Sequence, residues 1–325
     1  MQNKLTQYPR INLRSKNDLA KRISDKNFTI NQTRVLINDV QNNFDKYWHD
    51  NEKVSKPKED KYVRSAAGTK LGKLLDLINK KILTPNDNLL PPFIFGGISN
   101  KDHVKAAINL LGKKNGRVFY KIDLKHFFEQ IPQESVFLFF RKSGCSRKIS
   151  TLLSRLLCVP EGKKGNKDSK PVLARGFSTS PRLAVWCNLH TFRILEGRVK
   201  SILKKHDFRI SIYVDDIGIS ASRVDLILMN KALNLSRKII ETGNLKINEE
   251  KTILPELFSK KLEYLGLMFG RNGVYLNKET QKKLAKMRAV QHKDNCPIKI
   301  KKTLKGLKNY KNYVNRLNKS LITKT

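Results

Sequence analysis

Ile210-Ser211-Ile212-Tyr213-Val214-Asp215-Asp216-Ile217-Gly218-Ile219-Ser220 is the stretch on which the reading of this chain turns. Apolar residues fall at 210, 212 and 214, and after the acidic pair at 217 and 219, so the period-2 phase slips by one at the pair. That pattern predicts a β-hairpin with the two aspartates at its turn. Adjacent carboxylates between apolar strands repel each other and are penalised by desolvation, so a cation is expected beside them. A solvated Asp-Asp turn is the plainer alternative, since Asp is a common turn residue.

A second stretch upstream, Val118-Phe119-Tyr120-Lys121-Ile122-Asp123-Leu124-Lys125-His126-Phe127-Phe128, decides between the two. Val118, Tyr120, Ile122 and Leu124 mark one face of a strand, and Asp123 projects from the other face at its end. A third carboxylate can then join the pair from a neighbouring strand. Three carboxylates with open positions for water and phosphate oxygens suit Mg²⁺, or Mn²⁺ in its place. Two such ions would clamp an in-line phosphoryl transfer.

With three further segments, these residues resemble the motifs of bacterial reverse transcriptases of the retron and defence-associated kind. Asp123 lies in a segment like the family's motif A, and Asp215 and Asp216 in one like motif C. Arg175-Gly176-Phe177-Ser178-Thr179-Ser180-Pro181 resembles motif B, Asn248-Glu249-Glu250-Lys251-Thr252 motif D, and Glu263-Tyr264-Leu265-Gly266-Leu267 the primer grip. The order and spacing agree over residues 60–320.

The resemblance implies an α+β, right-hand polymerase fold with fingers, a ferredoxin-like palm and a short helical thumb. It places a helical extension of the fingers at 1–60, fingers and palm at 61–270, and a basic helical thumb at 271–325. The implied activity is RNA-directed addition of dNTPs, with two Mg²⁺ at Asp123, Leu124, Asp215 and Asp216. Lys251 is then the candidate general acid for pyrophosphate departure. A structured non-coding RNA as template or primer, a DNA product, a part in anti-phage defence and a second subunit or homo-oligomer belong to the same expectation. Untemplated or protein-directed synthesis is an alternative, and so is a silent RNA-binding scaffold, although a scaffold has no need of three converging charges.

Other site residues follow the motifs. Lys61 and Arg64 resemble the fingers cations that clamp the triphosphate, with a solvated basic loop as the alternative. Phe128, five residues after Asp123, stands where the family has its steric gate against a 2′-hydroxyl; a buried core Phe is the alternative. Gly176 permits close approach of backbone to template and incoming base. Arg175 replaces the Gln usual before that glycine, and puts a permanent charge and a rigid donor fork there. It can grip a template phosphate, bond a base edge or pair with a protein carboxylate. The chain lacks the Asn-Ala-x-x-His and Val-Thr-Gly signatures of retron enzymes, which favours a related lineage.

Composition bounds the partners. Of 325 residues, 66 are Lys or Arg and 28 Asp or Glu, for a net charge of +38. So large an excess predicts a polyanionic partner such as nucleic acid. Cys145, Cys158, Cys187 and Cys296 have neither zinc-site nor disulfide-framework spacing, as expected of reduced thiols in a cytoplasmic protein. No apolar run is long enough to span a bilayer, so no membrane association is expected.

The remaining pattern predicts helices. One starts at Thr29 or Asn31, with Leu36, Val40, Phe44 and Trp48 in step, and another runs through Leu71, Leu74, Leu75, Ile78 and Ile82. Ser180-Pro181 begins a third, and 223–247 hold a fourth. Residues 161–170 read as a flexible basic loop. From Lys278 the chain reads as helical, with lysines interleaving Leu304, Leu307, Tyr310, Tyr313, Val314 and Leu317, so that one face packs and the other meets phosphate.

Overall fold

The structure, a computed structural model, describes residues 7–166, 169–258, 262–270, 273–291 and 297–322. In chain order its helices are α1 (Lys16–Ile23), α2 (Ile30–Asn42), α3 (Lys70–Ile78), α4 (His103–Leu111), α5 (Gln133–Lys142), α6 (Arg147–Leu157), α7 (Ser180–Leu203), α8 (Leu226–Thr242), α9 (Lys278–Gln291) and α10 (Ile298–Ile322). Its strands are β1 (His49–Asp50), β2 (Arg64–Ser65), β3 (Arg117–Asp123), β4 (Cys158–Pro160), β5 (Pro171–Leu173), β6 (Arg209–Tyr213), β7 (Asp216–Ser222), β8 (Ile253–Leu257), β9 (Glu263–Tyr264), β10 (Leu267–Gly270) and β11 (Gly273–Leu276). The chain divides into two compact units that interleave along the sequence. One takes the chain up to Asn100, Leu124–Leu195 and Ile239–Ile247; the other takes Lys101–Asp123, Glu196–Lys238 and the chain from Asn248 onward.

The second unit is built on a four-stranded antiparallel sheet in the order β6-β7-β3-β8. Alternation along the strands gives its two faces opposite characters. Val118, Tyr120, Ile122, Ile210, Ile212, Ile217, Ile219 and Ala221 form one face, all buried, and the Tyr120 hydroxyl meets Ser236 Oγ of α8 at 2.8 Å. The other face carries Arg117, Phe119, Lys121, Asp123, Ser211, Asp216, Gly218 and Ser220. Phe119 packs there with Leu110 of α4, Tyr264, Phe269 and Val314 of α10.

Arg117 is the polar anchor of that face. Its guanidinium is buried and donates to Asp207 Oδ2 at 2.8 Å, the Asp207 carbonyl at 2.7 Å and Ser220 Oγ at 3.0 Å. Gly218, opposite Lys121, leaves room for ring packing: a Cβ there would meet Leu110 Cδ1 at 2.7 Å and Tyr264 Cζ at 3.0 Å. The C-terminal helix behaves as its pattern predicts, with Leu304 and Val314 buried and Lys299, Lys301, Lys302, Lys305 and Lys311 exposed. Two hydroxyls tie it to α4: Tyr310 meets His103 Nε2 at 2.7 Å, and Tyr313 donates to Asp102 Oδ2 at 2.5 Å.

In the first unit, α2 starts where expected, with Thr29 and Gln32 closing a capping box. It stops at Asn42, earlier than the apolar repeat suggested. Phe44 falls in a short 3₁₀ turn and Trp48 is buried in extended backbone, so the i, i+4 spacing there came from two elements. The loop at 161–170 is less free than its composition implied. The Lys164 ammonium donates to the Asp45 carbonyl at 2.6 Å and lies 4.5 Å from the Trp48 ring centre. Cys145, Cys158 and Cys187 are free thiols, and Cys296 lies outside the described residues. Burial pushes the Cys187 thiol up to about 12. No helix among the described residues is long and apolar enough to cross a membrane.

Arg117→Gln leaves Asp207 without its buried partner, and a cost of about 3–5 kcal/mol is expected. Urea unfolding followed by far-UV circular dichroism should show this as a lower midpoint, against no change for exposed Lys301→Gln. The pH dependence has a defined sign. Burial pushes the Asp207 carboxyl up, but the Lys113 N–H, the Arg117 and Arg209 charges and the Lys114 N–H together hold it below the ordinary carboxylate value. Its stabilisation is therefore complete at neutral pH and is lost as pH falls from about 4 through the folded-state value. Acid titration of Asp207→Asn should lack that loss.

Candidate active site

The hairpin read from the sequence is present. Strands β6 and β7 pair with Tyr213 opposite Asp216, leaving Val214 and Asp215 as a two-residue turn. Val214 is thus a turn residue and not the last of the apolar face. Its φ of 59° is the left-handed value that a type II′ turn needs at its first central residue, where glycine is usual. A β-branched residue held there costs of order 1–3 kcal/mol.

Asp216 begins β7 and lies directly opposite Asp123, the last residue of β3. The sequence reading put Asp123 at a strand end and Asp216 in the turn; Asp216 instead opens β7, and Lys121 had no part in that reading. That side chain lies on the Asp123 face two residues earlier, and its ammonium stands 3.4 Å from Asp123 Oδ1 and against Asp216 Oδ1. Side-chain exposures of 16%, 15% and 20% for Lys121, Asp123 and Asp216 make this a largely desolvated cluster. Its only signal in the sequence is the i, i+2 spacing from Asp123.

Burial raises the Asp216 carboxyl, and the Asp123 charge adds to this, with Lys121 and Lys251 opposing. Burial alone would lower the Lys121 ammonium, but the Asp216 and Asp123 carboxylates outweigh it and hold it above its usual range. Asp216 Oδ1 is buried, and the Lys121 ammonium lies against it as its charge partner.

Two supports fix the hairpin and strand end. Tyr264 is buried, and its hydroxyl reaches the carbonyls of Ser211 at 3.3 Å and Asp216 at 3.4 Å. The Asn248 N–H donates to the Asp123 carbonyl at 2.8 Å, which brings the following 3₁₀ turn, Glu249–Lys251, beside β3. Lys251 is exposed on that turn and bears electrostatically on Asp216. Among the described residues no group of three His, Cys, Asp or Glu is close enough to enclose a metal ion by itself. The pairing brings together Asp123 and Asp216, with Asp215 adjoining in the turn.

In the first unit, Arg175 adopts the third of its open readings. Its Nε and Nη2 donate to Glu129 Oε1 and Oε2, both at 2.8 Å, and its guanidinium carbon lies 5.1 Å from the Phe128 ring centre. Glu129 was not singled out from the sequence, because a carboxylate beside an expected gate residue carries no pattern of its own. Phe128 retains 9% exposure, whereas Phe127 is fully buried against Phe192. A cleft of about 250 Å³ is lined by Tyr62, Glu129, Glu161 and Arg175, among others.

Two expected ligand contacts have structural partners instead. Gly176, at φ 102°, packs against the backbone of β2: a Cβ would run into the Arg64 carbonyl oxygen. Arg64 is buried, pairs with Asp50, donates to the Pro160 carbonyl at 3.0 Å and lies 5.3 Å from the Trp48 ring centre. A guanidinium so committed is a packing element of this unit. Lys61 lies 3.5 Å from Glu59 and is partly exposed. Leu124 is buried just past the end of β3, where it bridges to Ile247.

Two comparisons with known proteins bear on the family of this chain. A family model described as reverse transcriptase (RNA-dependent DNA polymerase) matches residues 54–269, a span that holds Asp123, Asp215 and Asp216 and every motif segment. The chain is also similar to the retron Ec86 reverse transcriptase of Escherichia coli, with 28% identity over 193 residues. That alignment takes in 59% of this chain and 54% of the relative, so the chain spans about half the relative's length. On the family match over most of its length, this chain belongs to the reverse transcriptase family, with a polymerase palm and fingers fold.

Proposed function

We propose that this protein is an RNA-directed DNA polymerase that extends a primer with dNTPs by two-metal phosphoryl transfer, and that it serves in anti-phage defence with a structured non-coding RNA. The observation that carries the chemistry is the register of β3 and β7, which sets Asp123 directly opposite Asp216. The donor set fits Mg²⁺: hard carboxylate oxygens that meet from facing strands, one of them buried against the Lys121 ammonium. Asp123, Asp215 and Asp216 would hold the ions, with Leu124 contributing its peptide carbonyl, the one oxygen it has. When bound, the ions supply Lewis-acid activation of the attacking oxygen and charge neutralisation of the leaving pyrophosphate.

The chain's own residues do the rest. Lys251, exposed beside the pair, is positioned to donate a proton to departing pyrophosphate. Phe128 screens the sugar, and Arg175 holds its ring by a cation–π contact while Glu129 fixes the guanidinium. Gly176 keeps the motif B turn tight against the strand at Arg64, and Lys61 remains the candidate cation of the fingers. Strand order β6-β7-β3-β8, with α8 between β7 and β8, supports a ferredoxin-like palm. We read 1–60 as a fingers extension, 61–270 as fingers and palm, and 271–325 as a thumb whose exposed lysines follow a nucleic-acid backbone. The net charge of +38 supports RNA and DNA as partners. The part in defence rests on likeness to bacterial relatives.

The test is primer extension on an RNA template with dNTPs and Mg²⁺ or Mn²⁺. Asp216→Asn or Asp215→Asn should lower the rate by about 10³-fold or more, and chelation should abolish it. Undiminished synthesis by a folded Asp216→Asn protein would sink the reading. Phe128→Val should reduce discrimination against rNTPs by about tenfold or more. Arg175→Gln should do so in the same direction but less, and Arg175→Lys, which has no bidentate fork, should not restore it. Unaltered discrimination in both Arg175 variants would remove Arg175 from the gate.

A further inference from the structure

Lys121 is not placed as an ordinary strand lysine. Its ammonium is desolvated, touches two carboxylates that come from different strands, and lies against the buried Oδ1 of Asp216. An ammonium on a four-carbon stem is a compact point charge that can swing away. The oxygens it touches are those assigned above to metal binding, so this inference rests on that reading.

We propose that Lys121 is a tethered competitor for divalent cation. Its ammonium joins Asp123 to Asp216 and must leave Asp216 Oδ1 before a metal ion can take that oxygen. The residue thereby sets the divalent-ion concentration at which the site loads. The argument is one of charge: two facing carboxylates on a partly buried sheet repel unless a cation lies between them. A fixed monovalent charge in that place opposes a divalent one by Coulomb repulsion at short range. Lys121 is a positioning residue in this scheme, acting on the carboxylates and not on the reacting atoms.

The experiment is Mn²⁺ binding to the full chain without nucleic acid, read by the free-ion signal in electron paramagnetic resonance, with melting curves in EDTA and in Mn²⁺. Lys121→Gln should bind Mn²⁺ on the order of tenfold more tightly than wild type. It should also melt lower in EDTA and gain more from Mn²⁺. Lys121→Arg, whose planar fork holds carboxylates more firmly, should bind Mn²⁺ more weakly than wild type. Equal or weaker binding by a folded Lys121→Gln protein would overturn the proposal, since Lys121 would then support the metal site or be indifferent to it. Should Lys121→Gln fail to fold, the Arg variant decides, and affinity equal to wild type overturns. Asp216→Asn separates the two levels. If it leaves Mn²⁺ binding unchanged in every background, the metal reading itself falls; if it abolishes binding while Lys121→Gln matches wild type, only the Lys121 inference falls.

Discussion

Two carboxylates facing each other across neighbouring antiparallel strands are a conflict that the rest of this fold has to contain. Asp123 and Asp216 are register partners on the mixed face of the sheet, where Arg117, Lys121 and Ser220 flank Phe119 and its aromatic and aliphatic neighbours. Like charges directly opposite destabilise a strand pair, and burial adds to the penalty. Lys121 answers it locally. The wider answer is rigidity: the opposite face of the same strands is wholly apolar and buried, so the register cannot slip without exposing it. Arg117 and Asp207 lock the far end of β3, and the Tyr264 hydroxyl reaches the hairpin's own carbonyls.

Much of this was legible in the residues. The phase slip in Ile210–Ser220 located the hairpin, and the alternation in Val118–Asp123 assigned Asp123 to the less apolar face. Local patterns of this kind follow from the period-2 geometry of a strand, so one sequence suffices to read them. What was not legible depends on contacts between distant segments. Nothing near Lys121 states that Asp216 will lie across from Asp123. The pairing of Arg175 with Glu129 likewise requires two segments to meet. Val214 misled for a related reason: an apolar residue at a strand position reads as core until the turn's φ is known.

Arg64 shows how a cation read from type alone can find its partners within the protein. A basic residue ahead of a phosphate-handling domain suggests a ligand contact, yet Arg64 is stacked near Trp48 and Tyr62 and tied to Asp50 and loop carbonyls. Arginine is suited to such burial because its delocalised charge is weakly hydrated and its donors are many. Gly176 fits the same assembly, since its missing side chain admits the Arg64 carbonyl. These residues of the motif B and fingers segments therefore first secure one part of the fold to another.

The interleaving of the two units bears on how the chain comes to be folded at all. The central sheet draws β3 from one stretch, β6 and β7 from a second and β8 from a third, while Leu124–Leu195 and Ile239–Ile247 between them belong to the other unit. Neither unit can be completed by an N-terminal fragment. As the chain leaves the ribosome, β3 waits with its edges unpaired until the hairpin and then β8 have been made, a topology of high contact order and slow closure. A chain that ends before Asp216 has no opposed carboxylates, so an incomplete chain cannot form the Asp123–Asp216 pair. The same arrangement leaves nascent β3 exposed to mispairing, and Arg117 and Lys121 on its polar face lessen that hazard.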